Sequence, residues 1–513
     1  MSKFGYLNQN NPLIIGQNEA QEMLNCRLDR GYLEFGSFPV EETNGRYLIL
    51  PNQKEVKIDA DFYNSGYVKW RKKGSSDAWV RLGIKTPGEV STPIPNIIVD
   101  VITPLTAYPF APEVGKHFYA ITLYDPDTFE ESPAVFKEIE YTEADAAADK
   151  RIGFTDFVDL ASVYGSTRPN LEWRFYRMPF GGEEYLLAMT QEACTTFSVG
   201  FKIFDPTTVE NLGAICTTLD LVDKPLDATS LTIAFYSEKL WIATIVPPVV
   251  PGGKYTGLLY YSKTSSWHEF PATFFFSFPD RVIGLTPYGE TLLIQTEGKS
   301  YVLYGNNEDN FILRPVDYDF TGMAQNSGRA ANGLAYTLAA KKTEDSYYQG
   351  TGILAFNGRS VVDISAKVFK TLPQYLYVGS QCAKNAMLEN RFYVFEFWEK
   401  TESTWHSPKK LIYDTYLEGF CLANDYQATF VYRTKEFKAA DKNVQFYKRL
   451  FVRGKGEFTV ELLGDGQLIT LLNYNLSSLD TVYFNVKPNR YVTFSIRFTG
   501  SQGAEIHDWG IDE

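Results

Sequence analysis

Four carboxylates crowd one short stretch, Asp125, Asp127, Glu130 and Glu131. Acids this close can bind calcium through their oxygens, and two acids facing each other across a cleft can share the work of glycoside cleavage. The loop lacks the central glycine and closing glutamate of an EF-hand, and Pro126 marks a turn in which Asp normally caps its own backbone. A structural turn is therefore expected here, with no metal and no catalytic residue assigned.

The other reactive side chains are sparse. His117, His268, His406 and His507 fall in no HExxH, HxH or Cys/His spacing, so packed or hydrogen-bonded imidazoles are expected. The five cysteines, Cys26, Cys194, Cys216, Cys382 and Cys421, are scattered and odd in number, which points to reduced thiols. There is no Gly-x-Ser-x-Gly elbow, no Asp-box repeat and no Walker-type loop, and Gly181-Gly182 and Gly252-Gly253 read as ordinary turns. Cofactor-binding residues are accordingly none.

Lys69-Trp70-Arg71-Lys72-Lys73 interleaves cations with an aromatic and could touch a nucleic-acid backbone. A solvated hairpin turn running into Gly74-Ser75-Ser76-Asp77 is the simpler expectation. Lys448, Arg449, Arg453 and Lys455 share a strand face only in part. The whole chain of 513 residues holds 49 Lys and Arg against 62 Asp and Glu, a net charge of −13. Gripping phosphates needs clustered cations, whereas an acidic wall repels them and lets a polyanion pass without sticking.

The elements that would position these groups are strands. Tyr (34) and Phe (37) sit with Val, Ile and Thr in short runs broken by Gly, Pro, Asn and Asp. The stretches 231–244, 282–304, 352–364 and 385–398 each read as strand, polar turn, strand. Helical periodicity is nearly absent, and 142–149 (TEADAAAD) is the one short helix expected, opened by a Thr-x-x-Asp cap. No apolar run approaches the roughly 18 residues of a membrane span, and the first residues lack the pattern of a signal peptide.

Recurring hairpins, with turns such as YGETL, FNGRS and LENRF, and a Lys263-Thr264-Ser265-Ser266 turn before Trp267, have the rhythm of propeller blades. At roughly 40 to 45 residues per blade, 190–435 holds five or six, with 44–84 supplying another. The expected fold is all-β: a β-propeller with an inserted small β-sandwich (platform) domain and an all-β C-terminal region. Its divisions are 1–89 (N-terminal segment and first propeller strands), 90–189 (the inserted sandwich), 190–436 (propeller blades) and 437–513 (C-terminal region, which could close the propeller). In that last region 445–452 and 456–463 read as separate strands, followed by 481–486 and 491–498.

Several stretches together carry a likeness. Asn25-Cys26-Arg27-Leu28-Asp29-Arg30-Gly31 follows the acidic 19–24, Tyr119 to Pro133 runs as strand, acidic turn and Glu-Ser-Pro, and Tyr176-Arg177 precedes the Gly181 to Tyr185 hairpin. Arg281 to Leu285, Leu292 to Thr296, Lys299 to Gly305 and Gly352 to Ser365 continue it. The chain resembles the nozzle or hub proteins of short-tailed bacteriophages, the tail tubular protein B or packaged-DNA stabilisation type. In these the acidic 19–24 stretch is a short helix.

That resemblance implies a structural virion protein of the tail, made in the host cytoplasm and not an enzyme. It would form a homo-oligomeric hexamer ring below the portal and adaptor, retain the packaged genome and conduct DNA during ejection without reading its sequence. Tail fibres or spikes and a distal needle are further partners the resemblance admits. The alternative from the residues is a glycan-binding or glycan-cleaving propeller using aromatic platforms such as Trp241, Trp267 or Trp398. A host-encoded propeller scaffold without portal partners is a third.

Overall fold

The structure is a computed structural model describing residues 20–24, 26–29, 32–35, 47–51, 54–59, 67–76, 78–84, 97–104, 112–157, 160–164, 168–194, 201–205, 211–222, 230–249, 253–264, 266–316, 320–322, 327–342, 348–365, 384–397, 409–423, 429–434, 437–438, 449–485 and 493–512. It is all-β: propeller blades, an inserted sandwich and an all-β C-terminal region. By compactness the chain divides into two units, Arg46–Val282 and the combination of Met1–Gly45 with Ile283–Glu513.

In the first unit one blade runs Tyr47–Ile49, Lys54–Asp59, Tyr67–Lys72, Val80–Arg81, and a second runs Ser230–Tyr236, Lys239–Val246, Thr256–Tyr261, Phe275–Phe278. Val56 opposes Trp70 and Ile58 opposes Val68, so alternation directs one apolar row out of the sheet. That row packs on Ile233, Leu240, Ile242 and Tyr260 of the second blade. The turn within the expected 231–244 hairpin is Ser237-Glu238, with both residues at positive φ (51° and 59°), the backbone a two-residue hairpin demands.

The sandwich lies between these blades in sequence. A five-stranded sheet centred on Gly115–Asp125 faces a three-stranded sheet of Ile98–Ile102, Arg151–Thr155 and Ile203–Phe204. Tyr119, Ile121, Leu123, Trp173 and Phe175 meet Ile152 and Phe154 in its core, with the rings of Phe154 and Phe175 4.5 Å apart. The expected helix is Glu143–Ala147, and its capping box is complete: Thr142 and Asp145 each bond the other's backbone.

Among the described residues three further blades follow. Val282–Tyr288, Thr291–Thr296, Ser300–Tyr304 and Ile312–Pro315 form one, so the stretch expected as two strands contains three. The next centres on Leu334–Lys342 and Tyr348–Phe356, and the last begins Lys384–Leu388, Phe392–Phe397, Lys409–Asp414, Gly419–Ala423. Leu293 and Val302 of one blade pack on Ala335, Leu354 and Phe356 of the next. Tyr336, Leu338 and Ile353 then pack on Tyr393, Phe395 and Leu411. Within each unit the sheets bury apolar faces by stacking on a neighbour, which is the physical logic of propeller blades.

Two sequence expectations are corrected here. Ala20–Leu24 is a strand, not the short acidic helix of the resembled proteins, and it pairs antiparallel with Thr429–Thr434 and through Leu24 with Leu422 of Gly419–Ala423. A segment this short takes the structure its tertiary partners offer, and here two strand edges supply its backbone partners. The strands expected at 445–452 and 456–463 form one, Arg449–Gly464, with residues 445–448 outside the described set. Its pairing shifts register between Gly454 and Gly456, the latter at φ +82°, opposite a bulge on the partner strand. Asp465-Gly466 makes the tight turn into Gln467–Asn485. These strands belong to the same 13-stranded sheet as the last blade.

Candidate functional site

The acidic stretch lies at the end of the sandwich strand Gly115–Asp125 and in the turn after it. Asp125 Oδ1 accepts the backbone N–H of Asp127 at 3.0 Å, the Asx turn that this residue type favours. The turn returns through Phe129 at φ +58° into Glu130–Glu131, which pairs back on Tyr124 and Asp125.

The strand geometry divides the four acids. Asp125 and Glu130 point into the protein and meet Arg168, each of the three side chains at most 1% exposed. Arg168 Nη1 donates to Asp125 Oδ2 at 2.7 Å and to Thr128 Oγ1 at 3.1 Å. Its Nη2 donates to Glu130 Oε2 and, at 3.1 Å, to the carbonyl of Arg81 on the first blade. Burial alone would lower the guanidinium's pKa, but Glu130 and Asp125 outweigh it and hold it above its ordinary value.

Lys54 of the first blade extends the cluster, 3.9 Å from Glu130 Oε1 and 4.0 Å from the Trp70 ring centroid. Burial lowers its pKa and Arg168 adds to that, while Glu130 and Asp125 pull it up. His268, on the loop before the last strand of the second blade, feels the same charges. Burial holds its pKa below the ordinary value against the attraction of Glu130 and Glu269, and its Nε2 is buried without a hydrogen-bond partner.

Glu131 is held separately, accepting from Thr122 Oγ1 at 2.5 Å and Tyr176 OH at 2.6 Å. Asp127 accepts from Asn170 Nδ2 at 2.9 Å near the surface. Among the described residues no group of three or more His, Cys, Asp or Glu is placed to hold a metal ion. Chemically the arrangement is a latch. A carboxylate pinned by arginine and closed to solvent can neither reach a sugar nor trade a proton with it.

The other singled-out residues lie elsewhere. His117 Nε2 is 2.7 Å from the carbonyl of Glu113 and its ring stands edge-on to Tyr141, as the packed reading expects. His507 Nε2 meets Glu505 Oε2 at 2.8 Å, and Lys455 meets Glu505 at 2.6 Å. Cys194, Cys216 and Cys421 are in no disulfide, and burial pushes the Cys216 thiol up. His406, Cys382, Trp398, Lys448 and the side chain of Cys26 lie outside the described residues.

The basic patch is built into the first blade. Trp70 packs against the core shared with the second blade, Arg71 Nε donates to Glu55 Oε2 at 2.7 Å, and Arg71 lies 4.5 Å from the Trp79 ring. Lys72, Lys73 and Gly74 form the exposed turn. Of the candidate aromatic platforms, Trp241 is fully buried and donates Nε1–H to the Tyr236 carbonyl at 2.9 Å. Trp267 packs edge-on against Phe235. Sequence reasoning missed Arg168, which has no motif around it; the available signal was that two acids on inward-facing positions of a buried strand end require a cation.

No protein-family model matches the chain, and no curated protein matches it. Among solved structures it is similar to a sucrose-6-phosphate hydrolase from Lactobacillus gasseri (8% identity, TM-score 0.23, 54% of this chain and 89% of that one). It is also similar to the N-terminal domain of Nup159 (10% identity, TM-score 0.25, 65% and 87%). A GH43_12 protein retrieved from a capybara gut metagenome stands at 8% identity and TM-score 0.21, with 99% and 98% covered. At these TM-scores the likenesses assign neither a family nor an activity.

Proposed function

We propose that the chain is a structural virion protein of a phage tail, a six-fold nozzle or hub ring below the portal and adaptor. It retains the packaged genome and conducts DNA during ejection. The observation that carries the non-catalytic part of this reading is the Arg168 latch: Asp125 and Glu130, two acids of the densest carboxylate cluster, are buried on Arg168, which ties the inserted sandwich to the first blade. The tail assignment itself rests on the residue-level resemblance, including Arg281 to Leu285 and Gly352 to Ser365.

Charge fits the same role. At −13 per copy, a ring of identical subunits repels the phosphate backbone, so DNA would pass without adhering. Such a ring needs one surface of each copy to fit a different surface of the next.

The test is the mass and symmetry of the purified protein, alone and mixed with a candidate adaptor ring, by mass photometry and class averages. A six-fold ring on the adaptor supports the proposal. A chain that ignores every tail partner overturns it, and saturable polysaccharide binding would then be measured.

A further inference from the structure

We propose that Gln467–Asn485 is a self-pairing edge, along which a second copy of this chain adds its own Gln467–Asn485 antiparallel. Among the described residues this 19-residue strand pairs only with Arg449–Gly464, leaving its other backbone edge open. At about 3.3 Å per residue the open edge runs roughly 60 Å. Monomeric proteins guard such edges with charge, proline or brevity. This one carries a single formal charge, Asp480, and no glycine or proline.

Its side chains are also under-covered on both faces. Leu468, Leu471, Leu479 and Tyr483 are 55%, 50%, 38% and 51% exposed. On the core side Leu472, Tyr474, Leu476 and Val482 are only partly buried.

The register selects a particular partner. The ladder to Arg449–Gly464 pairs Leu476 with Gly456 and Asp480 with Gly454, so Ser477, Ser478 and Leu479 form a bulge between two regular runs. A two-fold axis at Ser478 lays each run against the other run of the second copy. Leu472 then faces Phe484 of that copy and Tyr474 faces its Val482, apolar cross-strand pairs that extend both cores across the seam. The same register sets Asp480 opposite Leu476 instead of another Asp480, so the only charge meets no like charge in a chain that otherwise repels its copies. A strip of about 15 residues by ~10 Å on each copy buries on the order of 1,000 Å² in total, the lower bound for a specific interface.

This inference stands apart from the tail reading. A head-to-tail ring joins two different surfaces, whereas this seam joins one surface to itself, and adaptor binding tests the ring independently. The full chain is measured by sedimentation and mass photometry up to about 50 μM, in the range of a micromolar association. A dimer is expected, and N473K/N475K, which puts lysines on exposed positions of the edge, is expected to return it to monomer with an unchanged far-UV spectrum. Ser478→Cys should form an interchain disulfide above the wild-type background, whereas Asn473→Cys, which faces Tyr483 of the other copy, should not. A wild-type chain monomeric throughout, a dimer indifferent to the lysines, or Asn473→Cys cross-linking as readily as Ser478→Cys would each overturn the proposal.

Discussion

Arg391 grips Asp414 with two nitrogens, Nε at 3.0 and 2.9 Å from the two carboxylate oxygens and Nη2 at 2.5 Å from Oδ2. The same Nη2 donates to the carbonyl of Leu28 at 3.1 Å, 363 residues away in sequence. One cation thus satisfies a fully buried acid in the last blade and holds the N-terminal strand Cys26–Asp29 beside it. Asp414 also accepts the backbone N–H groups of Tyr416 and Leu417, so its own turn helps to fix its orientation.

Removing that cation should cost more than removing the pair. Arg391→Ala leaves Asp414 buried and unpaired, and a loss of about 3–5 kcal/mol is expected in urea denaturation. Arg391→Met with Asp414→Asn should recover part of it, because the buried charge goes too. Limited proteolysis of Arg391→Ala should also cut near the N-terminal strand sooner than in the wild type.

The Arg168 latch predicts a local effect. Arg168→Ala strands Asp125 and Glu130 without their cation, and hydrogen exchange should accelerate in 122–132 and in 80–84, where the Arg81 carbonyl loses its donor. Exchange in the last blade should not change. Equal acceleration everywhere would mean that the arginine supports global stability and not the junction of sandwich and blade.

His268 makes stability pH-dependent with a definite sign. Its folded-state pKa lies below the ordinary 6.5, chiefly through burial, so below that pH the unfolded chain binds a proton that the folded chain resists. Its contribution is complete above pH 6.5 and is lost as pH falls through the lowered folded value. Denaturation midpoints measured from pH 8 downward should decline in that window, and His268→Phe should flatten the decline. Glu130, Glu269, Lys54 and Arg168 are the charges around it, and the same series in Glu269→Gln should steepen it by removing an attraction for the imidazolium.

Trp241 separates core from ligand platform. Its ring lies tilted against that of Tyr261, 4.8 Å away, and is fully buried, so Trp241→Ala should cost about 3–5 kcal/mol as a core truncation. A polysaccharide added at saturation should leave the Trp241→Phe protein's melting temperature where it leaves the wild type's. A stabilisation present in wild type and absent in Trp241→Phe would reopen the glycan reading.

Composition and local pattern determined a good deal of this protein. Alternating aromatic and β-branched runs announced an all-β chain, and Thr142 and Asp145 announced a capped helix, because each of these depends on neighbours a few residues apart. Tertiary structure decided the rest. Ser237-Glu238 turns as sharply as any Asn-Gly, since the flanking strands impose the backbone that its own residues do not prefer. Ala20–Leu24 became a strand because its hydrogen-bond partners lie at Thr429–Thr434. Asp125 and Glu130 became a latch because Arg168, 43 residues beyond Asp125, is folded onto them. Where the energy of a side chain is set by charge and burial from distant segments, spacing along the chain carries no record of it.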